Sequence, residues 1–473
     1  MNRLQNIRKK MYIRRNLLKW VMVFFLVLFA LGGFSQPTVS GFTPVSGPTG
    51  SEGSTTVTVS GNNFSTTLTD NVVRFGGVQA EVTAATATEL TVTAPWGATW
   101  QPLSVTVVPA AQTAYSYTVA NPFIPTFGTT HTITNTSFAV KVDFTTGTSP
   151  WGVAIGDLDG DGKPDLAVTN SGSGINTVSV FRNISTTDAI SIASFAAKVD
   201  FPTGSSPMGV AIGDLDGDGK PDLAVTNSSG TSNTVSVLRN TSTAGALSFA
   251  GKVDFSTGTY PYDVAIGDLD GDGKPDLAVA NSGSASVSVL RNISTQGEIT
   301  SSSFAGQVIY DMGGNPVSVA IGDLDGDGKP DLAAGNYGTS NVSVLRNISA
   351  VGAITTSSFA TYVSFTTGTN SWGVAIGDLD GDGKPELVTA NKISNNVSVL
   401  RNISTAGTVS FAPQVPFSTG TKPYFISIGD LDGDGKPDLA VTNGDSSSNT
   451  VSVFRNTCTE GALSFDPKAD YAA

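Results

Sequence analysis

A nine-residue acidic loop occurs six times in this chain and holds most of the side chains that could bind a metal ion or take part in catalysis. It reads Asp-Leu-Asp-Gly-Asp-Gly-Lys-Pro-Asp, with one Glu variant at the last position, and begins at Asp157, Asp214, Asp268, Asp323, Asp378 and Asp430. Carboxylates stand at positions one, three, five and nine, and the glycine at position six permits a sharp turn that points them inward. Four carboxylates on so short a loop repel one another unless a cation lies between them. The pattern therefore indicates a hard cation.

Calcium suits this set of oxygen donors best, because magnesium prefers few protein ligands and zinc prefers nitrogen and sulfur. The alternative is that the loops are ordinary solvated turns, in which Asp and Gly are common. Six copies in the same frame favour metal, and we expect about six Ca²⁺ ions. The side chains at positions one, three, five and nine and the carbonyl at position seven are the predicted ligands: Asp157, Asp159, Asp161, Lys163 and Asp165; Asp214, Asp216, Asp218, Lys220 and Asp222; Asp268, Asp270, Asp272, Lys274 and Asp276; Asp323, Asp325, Asp327, Lys329 and Asp331; Asp378, Asp380, Asp382, Lys384 and Glu386; Asp430, Asp432, Asp434, Lys436 and Asp438.

Each acidic loop lies in the same frame of alternating apolar residues. In the first repeat these residues fall in 153–156 before the loop and in 166–168, 178–183 and 194–201 after it. A period of two predicts strands with one buried face. Four short strands in each repeat of about 55 residues favour the blade of a β-propeller, because ring closure hides the sheet edges. A linear β-solenoid is the alternative.

The frame V-A-I-G-D-L-D-G-D-G-K-P-D-L-A-V resembles the FG-GAP/VCBS repeats of integrin-α-type propellers over residues 137–473. That resemblance implies calcium in the hairpin loops of a six- or seven-bladed ring. A lone copy of the fourth-strand motif, Ser137 to Phe144, precedes the first complete repeat. We expect an all-β chain whose propeller is six-bladed, or seven-bladed with an incomplete last blade.

Residues 37–119 have no acidic repeat and instead show about seven short alternating segments between Gly, Asn and Pro turns. Their number and spacing predict a β-sandwich. The segments P-T-V-S-G-F-T-P-V-S-G-P-T-G, V-T-V-S-G-N-N-F, V-R-F-G-G-V and L-T-V-T-A-P resemble an IPT/TIG immunoglobulin-like domain, which implies a spacer or interaction module. Residues 120–136 contain Pro122 and Pro125 and are predicted to form a short, stiff linker.

The first 35 residues have the pattern of a signal peptide. Residues 1–20 carry seven Lys or Arg and no acid, an apolar run follows from Val21 to Leu31, and Gly33 and Ser35 are small enough for cleavage. An uncleaved anchor is the alternative, although the run is shorter than the roughly 20 residues that span a bilayer. We expect a secreted or cell-surface protein with no membrane span after signal removal. Its net charge of −13 makes nucleic acid an unfavourable partner.

The loops that join the fourth strand of one repeat to the first strand of the next lie opposite the acidic loops. They end in a residue that differs between repeats, while the surrounding sequence barely changes. Four of the six are aromatic, as a glycan- or protein-binding rim requires, although they would also suit plugs between blades. The six arginines of V-S-V-x-R-N recur unchanged, so we expect them to pair with neighbouring blades. The predicted ligand-binding residues are Trp151, Tyr262, Trp372 and Tyr424.

One His and one Cys leave no Ser-His-Asp or Cys-His site in the repeats, and no catalytic residue is assigned. The sequence therefore predicts an exported, calcium-stabilised interaction or adhesion protein whose propeller binds an extracellular protein or glycan. The alternative functions are a polysaccharide-active enzyme, either hydrolase or lyase, and a lectin built on the same propeller.

Overall fold

The computed structural model describes residues 36–49, 55–95, 98, 102–108, 112–115, 123–126, 132–172, 174–186, 190–230, 232–445 and 448–473. The predicted signal peptide, residues 1–35, lies outside the described residues, as does part of the predicted linker. The described chain is all-β, with an N-terminal sheet domain followed by a six-bladed propeller and only one short 3-10 helix, Leu68–Asp70. No helix among the described residues has the length and apolar character needed to cross a membrane.

The N-terminal domain is a rolled sheet around a core of valines and aromatic residues. Its strand order is β1-β3-β6-β5-β4-β7-β8, and β2 pairs in parallel with β9. Val57, Val59 and Leu90 are fully buried in this core, and Phe123 packs edge-on against Phe75 at 5.0 Å. The strands are β1 (Thr38–Thr43), β2 (Ser46–Pro48), β3 (Thr56–Asn62), β4 (Asn71–Phe75), β5 (Val78–Ala85), β6 (Glu89–Thr93), β7 (Leu103–Val107), β8 (Gln112–Tyr115) and β9 (Ile124–Thr126).

Six four-stranded antiparallel sheets follow, each in simple up-and-down order. Blades 1 to 3 contain β10 (Pro150–Gly156), β11 (Asp165–Asn170), β12 (Thr177–Phe181) and β13 (Val199–Pro202); β14 (Pro207–Gly213), β15 (Asp222–Ser229), β16 (Ser232–Leu238) and β17 (Val253–Ser256); β18 (Pro261–Gly267), β19 (Asp276–Asn281), β20 (Ser286–Leu290) and β21 (Val308–Asp311). Blades 4 to 6 contain β22 (Asn315–Gly322), β23 (Asp331–Tyr337), β24 (Asn341–Leu345) and β25 (Val363–Thr366); β26 (Ser371–Gly377), β27 (Glu386–Asn391), β28 (Asn396–Leu400) and β29 (Val415–Ser418); β30 (Pro423–Gly429), β31 (Asp438–Asp445), β32 (Ser448–Phe454) and β33 (Ala469–Ala472).

The apolar alternation in each repeat buries residues on both faces of a blade, because every blade packs between neighbours. Val178 and Val180 of β12 are fully buried, as are Leu223 and Val225 of the next blade, and these residues share one core. Four further cores join blades 2 and 3, 3 and 4, 4 and 5, and 5 and 6. The propeller is thus held together at the blade interfaces.

The first strands of all six blades line a central channel of about 1330 Å³. The N-terminal domain borders one end of this channel, because the turn between β4 and β5 lies against the acidic loops. The Gly77 carbonyl accepts the Asp157 amide hydrogen at 3.0 Å, and Arg74 donates to the Gly219 carbonyl at 2.6 Å. The Thr113 amide also donates to the Gly273 carbonyl in the loop of blade 3 at 2.7 Å, so the N-terminal domain partly covers the acidic-loop face of blades 1 to 3.

Candidate metal centres

Each acidic loop closes the hairpin between the first and second strands of its blade. In blade 1, Gly156 pairs with Asp165, so the nine-residue loop leaves one strand and enters the next. Carboxylate oxygens from each of the first five loops lie within 4.8 Å of one another. The clusters are Asp157, Asp159 and Asp165; Asp214, Asp216 and Asp218; Asp268, Asp270 and Asp276; Asp323, Asp325 and Asp331; and Asp378, Asp380 and Glu386.

Backbone hydrogen bonds to the first carboxylate fold the loop around it. Asp157 accepts the Gly160 amide hydrogen at 2.8 Å and the Gly162 amide hydrogen at 3.0 Å. Both glycines have positive φ values, 76° and 85°, which a residue with a side chain adopts only with strain. The glycine that the sequence placed at the turn is therefore needed for the carboxylates to converge.

The carboxylate at position nine ties the loop to the third strand of its blade. Asp165 accepts the Leu158 amide hydrogen at 2.9 Å and the Asn183 amide hydrogen at 2.7 Å. Glu386 makes the equivalent bonds to Leu379 at 2.7 Å and to Asn402 at 3.2 Å. The longer Glu side chain keeps both partners, with a longer second bond.

The lysine at position seven has a role that sequence reasoning missed. Its side chain turns back along the blade, and Lys163 Nζ donates to the Ser185 carbonyl at 2.8 Å. The lysines of all six loops make this bond, which in the last blade reaches the Cys458 carbonyl. The available signal was the recurrence of the lysine together with N-x-S or N-x-C, whose asparagine follows 18 or 20 residues after it.

The recurring arginines were expected to pair with neighbouring blades, but their ion pairs lie within their own blades, so that expectation is wrong. Arg291 donates to Asp270 at 2.5 Å and to Asp272 at 2.7 Å, both in the acidic loop of its own blade. Arg455 contacts Asp432 and Asp434 in the same way. The guanidinium follows directly after the third strand, which places it beside positions three and five of its own loop.

Burial and mutual repulsion make the charged form of these carboxylates unfavourable. Burial first, and then the nearby carboxylates, raise the pKa of Asp165 to about 7. The same causes raise the pKa of Asp331 and of Glu386 to about 8, although backbone amides oppose the shift. A bound cation would reverse this balance by neutralising the converging charges.

The donor set fits a calcium ion. Asp216 Oδ2 and Asp325 Oδ2 are buried, and neither accepts a hydrogen bond within the part of the chain that the structure describes. Each has only a distant arginine as counter-charge, Arg239 at 4.0 Å and Arg346 at 3.9 Å, so a cation between the carboxylates would stabilise them further. The ligands at each cluster are oxygens, which calcium prefers. These side chains are therefore able to hold metal ions, and calcium would supply positive charge that draws each loop together.

The four predicted ligand-binding residues lie at the opposite end of the first strands, where they form an aromatic cluster across the channel axis. Trp372 contacts Tyr262 at 6.3 Å and Tyr424 at 5.0 Å, and Trp151 contacts Tyr262 at 6.3 Å, all edge-on. Tyr337, which sequence reasoning missed, packs on Trp372 at 5.3 Å. The cluster joins blades 1, 3, 4, 5 and 6 around one point.

Within this aromatic cluster the two tryptophans differ in exposure and in polar contacts. Trp372 is 6% exposed, whereas Trp151 is 36% exposed. Trp372 Nε1 is buried without a hydrogen-bond acceptor among the described residues, and Lys392 Nζ lies 4.2 Å from its ring centroid and 4.5 Å from that of Tyr424. Trp372 thus packs between blades, as a structural residue would, whereas Trp151 lies at the surface, as a ligand-binding residue would.

One carboxylate close to this cluster lies outside the acidic loops. Asp263 follows Tyr262 in β18 and accepts the Val264 amide hydrogen at 2.9 Å and the Val319 amide hydrogen at 3.1 Å. Burial raises its pKa to about 6 against these hydrogen bonds. Asp263 therefore links blade 3 to blade 4 through the Val319 amide.

Solved structures resemble the chain at low identity. An auxiliary nutrient binding protein from Bacteroides ovatus is 14% identical, with 86% of this chain and 95% of that chain covered and a TM-score of 0.37. An Agrocybe aegerita lectin that recognises non-reducing terminal N-acetylglucosamine is 18% identical, with 67% and 79% covered and a TM-score of 0.43. No function of this chain follows from likenesses at this level. No curated protein matches the sequence.

Family models match both parts of the chain. The IPT/TIG domain model matches residues 37–120. The FG-GAP-like repeat model matches six overlapping segments, residues 130–168, 160–225, 221–279, 268–334, 325–389 and 378–441. These segments cover well over half of the chain and coincide with the acidic loops and their strands. The protein therefore belongs to the FG-GAP-like repeat family and carries an N-terminal IPT/TIG domain.

Proposed function

We propose that this chain is an exported binding protein in which calcium stabilises the propeller and the opposite face binds an extracellular protein or glycan. The observation that carries the proposal is the separation of two kinds of residue. Converging carboxylates occupy one end of each first strand, and the aromatic cluster occupies the other. Ligand binding and metal binding are therefore assigned to different faces of one ring.

The carboxylate clusters support a stabilising role for the metal. Each cluster lies in a hairpin loop that touches the next blade, because Asn240 of blade 2 donates to the Leu158 carbonyl in the loop of blade 1 at 2.8 Å. A cation that fixes the loop also fixes this contact. The chain has a single cysteine, so no disulfide within it can provide the same restraint.

The aromatic cluster supports binding of a ligand with apolar faces and polar edges. Trp151 exposes a large ring, whereas the ring of Trp372 and its indole nitrogen are buried within the cluster. The Lys392 ammonium adds positive charge beside the Trp372 and Tyr424 rings. Aromatic rings with such polar groups suit sugar rings and protein side chains equally well.

Melting the protein in calcium and in chelator tests the metal part of this proposal. If each loop binds calcium with a Kd near 10⁻⁴ M, millimolar calcium adds about 1.4 kcal/mol per site, or about 8 kcal/mol over six loops. We expect a large fall in the melting midpoint on chelation, with magnesium restoring little of it. An unchanged midpoint would contradict the stabilising role.

A glycan array and a screen against extracellular proteins test the ligand part, each with the unaltered protein and with Trp151→Ala in calcium. We expect binding that Trp151→Ala weakens while the melting midpoint stays nearly constant. Turnover of a polysaccharide in a parallel assay would favour the enzymatic alternative. Export is tested separately by sequencing the N-terminus of the secreted protein, which is expected at Gln36.

A further inference from the structure

In blades 2 to 6 the asparagine of the N-x-S or N-x-C segment contacts two acidic loops at once. The Asn240 side-chain amide of blade 2 donates to the Leu158 carbonyl in the loop of blade 1 and to the Pro221 carbonyl in its own loop, both at 2.8 Å. Its backbone amide donates to Asp222, at position nine of its own loop, at 2.7 Å. The same three bonds are made in blades 3 to 6 by Asn292, Asn347, Asn402 and Asn456. Each of these segments therefore bridges two neighbouring acidic loops.

The bridged carbonyl lies between two of the predicted metal ligands. Leu158 stands at position two of its loop, between Asp157 and Asp159. Its side chain is 1% exposed and packs in the core that blades 1 and 2 share. The Gly245 amide of blade 2 adds a bond to Asp159 Oδ2 at 3.0 Å, and Gly461 of blade 6 makes the equivalent bond to the loop of blade 5 at 3.1 Å. The following blade thus holds the part of the loop that must place two carboxylates on one ion.

The bridging segment is also tied to its own loop by the lysine at position seven. In blade 2, Lys220 Nζ donates to the Ser242 carbonyl at 2.8 Å, and the Ser242 amide donates to Asn240 Oδ1 at 2.8 Å. Residues 240–245 therefore contact the loop of blade 1 and the loop of blade 2 through separate bonds. Ordering this segment costs conformational entropy, and a loop that is already folded on one side reduces that cost for the loop on the other side.

We propose that these asparagines are positioning residues that couple calcium binding at neighbouring blades, so that an ion in one loop strengthens binding in the loops beside it. The inference rests on the proposed calcium binding. An ion orders its own loop, the ordered loop fixes the bridging segment, and the fixed segment offers hydrogen-bond partners to the next loop. Direct repulsion between neighbouring ions acts in the opposite direction, so the sign of the coupling separates the two effects.

One backbone amide reports the shape of each loop separately. The glycine at position six donates to the carboxylate at position one in every blade, at 2.8 to 3.0 Å. This amide is protected from exchange with solvent while the loop is folded around its first carboxylate. Hydrogen exchange that is followed during a calcium titration of the complete protein therefore gives a separate midpoint for each loop.

The first test removes the ion from the loop of blade 5. Asp378→Asn takes away the charge at position one and keeps one accepting oxygen for the loop amides. We expect the calcium midpoints at Gly328 of blade 4 and Gly435 of blade 6 to rise at least about fivefold, because both neighbouring loops lose an ordered partner. Gly219 of blade 2, three blades away, is the matched control, and its midpoint should change less than about twofold.

The second test cuts one bridge at a time in a double-mutant cycle with Asp378→Asn. Asn456→Ala removes the bond between blade 6 and the loop of blade 5, and Asn402→Ala removes the bond between blade 5 and the loop of blade 4. In Asn456→Ala we expect the midpoint shift to disappear at Gly435 and to persist at Gly328. Asn402→Ala should give the reverse result. A role in folding alone would lower stability in both variants without changing which neighbouring loop responds.

Unchanged or lower midpoints at both neighbours in Asp378→Asn would overturn the coupling and leave the stabilising role of calcium intact. This first measurement does not require either asparagine variant to fold. Shifts that persist at both neighbours in both asparagine variants would assign the coupling to other contacts and overturn the role of the asparagines. If no loop amide responds to calcium, the coupling is overturned together with the metal part of the proposed function.

Discussion

The two faces of the propeller are formed by the same first strands, but they differ in how strictly their residues repeat. On the acidic face every blade keeps the same loop apart from Glu386, and each loop accepts the same amide hydrogen from the residue that follows its own third strand by two. On the opposite face the second residue of the strand changes from Trp151 to Met208 to Tyr262 and onwards. Residues repeat where every blade needs the same contact, and they vary where several blades contribute to one shared cluster.

The largest effect that separates the two roles within the aromatic cluster is expected at Trp372. Trp372→Ala removes a buried ring that contacts three tyrosines, so we expect a loss of about 3–5 kcal/mol in the free energy of unfolding. Trp151→Ala is the matched control and should cost less than about 1 kcal/mol, because its ring is partly exposed. Denaturant unfolding measures both, and equal losses would contradict the division between packed and exposed rings.

The next effect concerns the bonds between blades on the acidic face. Asn292→Ala removes donors to the Leu215 and Pro275 carbonyls, both at 2.8 Å and fully buried, and should cost about 2–3 kcal/mol. Asn183→Ala, at the equivalent place in blade 1, loses one such bond at 3.0 Å and should cost about 1 kcal/mol. Chemical denaturation in calcium distinguishes them. A greater loss at Asn183 would indicate that blade 1 is bonded to a preceding blade.

A pH effect is expected on the aromatic face. Burial raises the pKa of Asp263 from its ordinary value of 3.8 to about 6, so the folded protein binds the proton of this carboxyl more tightly than the unfolded chain does. The stability that the protonated carboxyl contributes is therefore complete below pH 3.8 and is lost as the pH rises through about 6. Asp263→Asn stays neutral, so the variant should gain about 2 kcal/mol relative to the unaltered protein between pH 4 and 7. Parallel melting curves in saturating calcium measure this difference. A constant difference across that pH range would show that Asp263 does not titrate there.

The smallest effect concerns a single metal site. Asp276→Asn weakens one donor of the third loop, so calcium titration should count one ion fewer. The part of the stability that chelation removes should then fall by about 1.4 kcal/mol at tenfold excess of calcium over Kd. Asp311→Asn, an exposed acid of the same blade outside the loop, should change neither value. If both variants keep the full number of ions, position nine does not bind metal.

Local patterns in the sequence were sufficient to predict the strands and the loops. Alternating residues such as Val178 and Val180 lie in strands, and the acidic loops close hairpins with the glycine at the turn. These features depend on residues that are close in sequence, so the strands and the loop of a repeat can be predicted from that repeat alone. The all-β class, the repeat family and the N-terminal IPT/TIG domain followed from them and are confirmed.

Contacts between distant parts of the chain could not be read from the same patterns. The meeting of Trp151, Tyr262 and Trp372 depends on the radius of the ring, which no single repeat encodes. The placement of Arg74 beside the acidic loop of blade 2 depends on how the two domains pack. Calcium occupancy, export and the ligand remain predictions.

The glycine at position six shows how one residue can come under two requirements. Gly162 and Gly435 have φ values of 85°, and nothing lies within 4 Å of where a side chain would begin. Gly219 and Gly273 have the same turn geometry, but a methyl group there would come within 3.1 Å of Val72 and 3.2 Å of Gln36 in the N-terminal domain. Alanine at Gly162 would strain only its own turn, whereas alanine at Gly219 would also push the neighbouring domain away. Positions that are interchangeable in the repeat motif thus differ in how much change the folded protein tolerates.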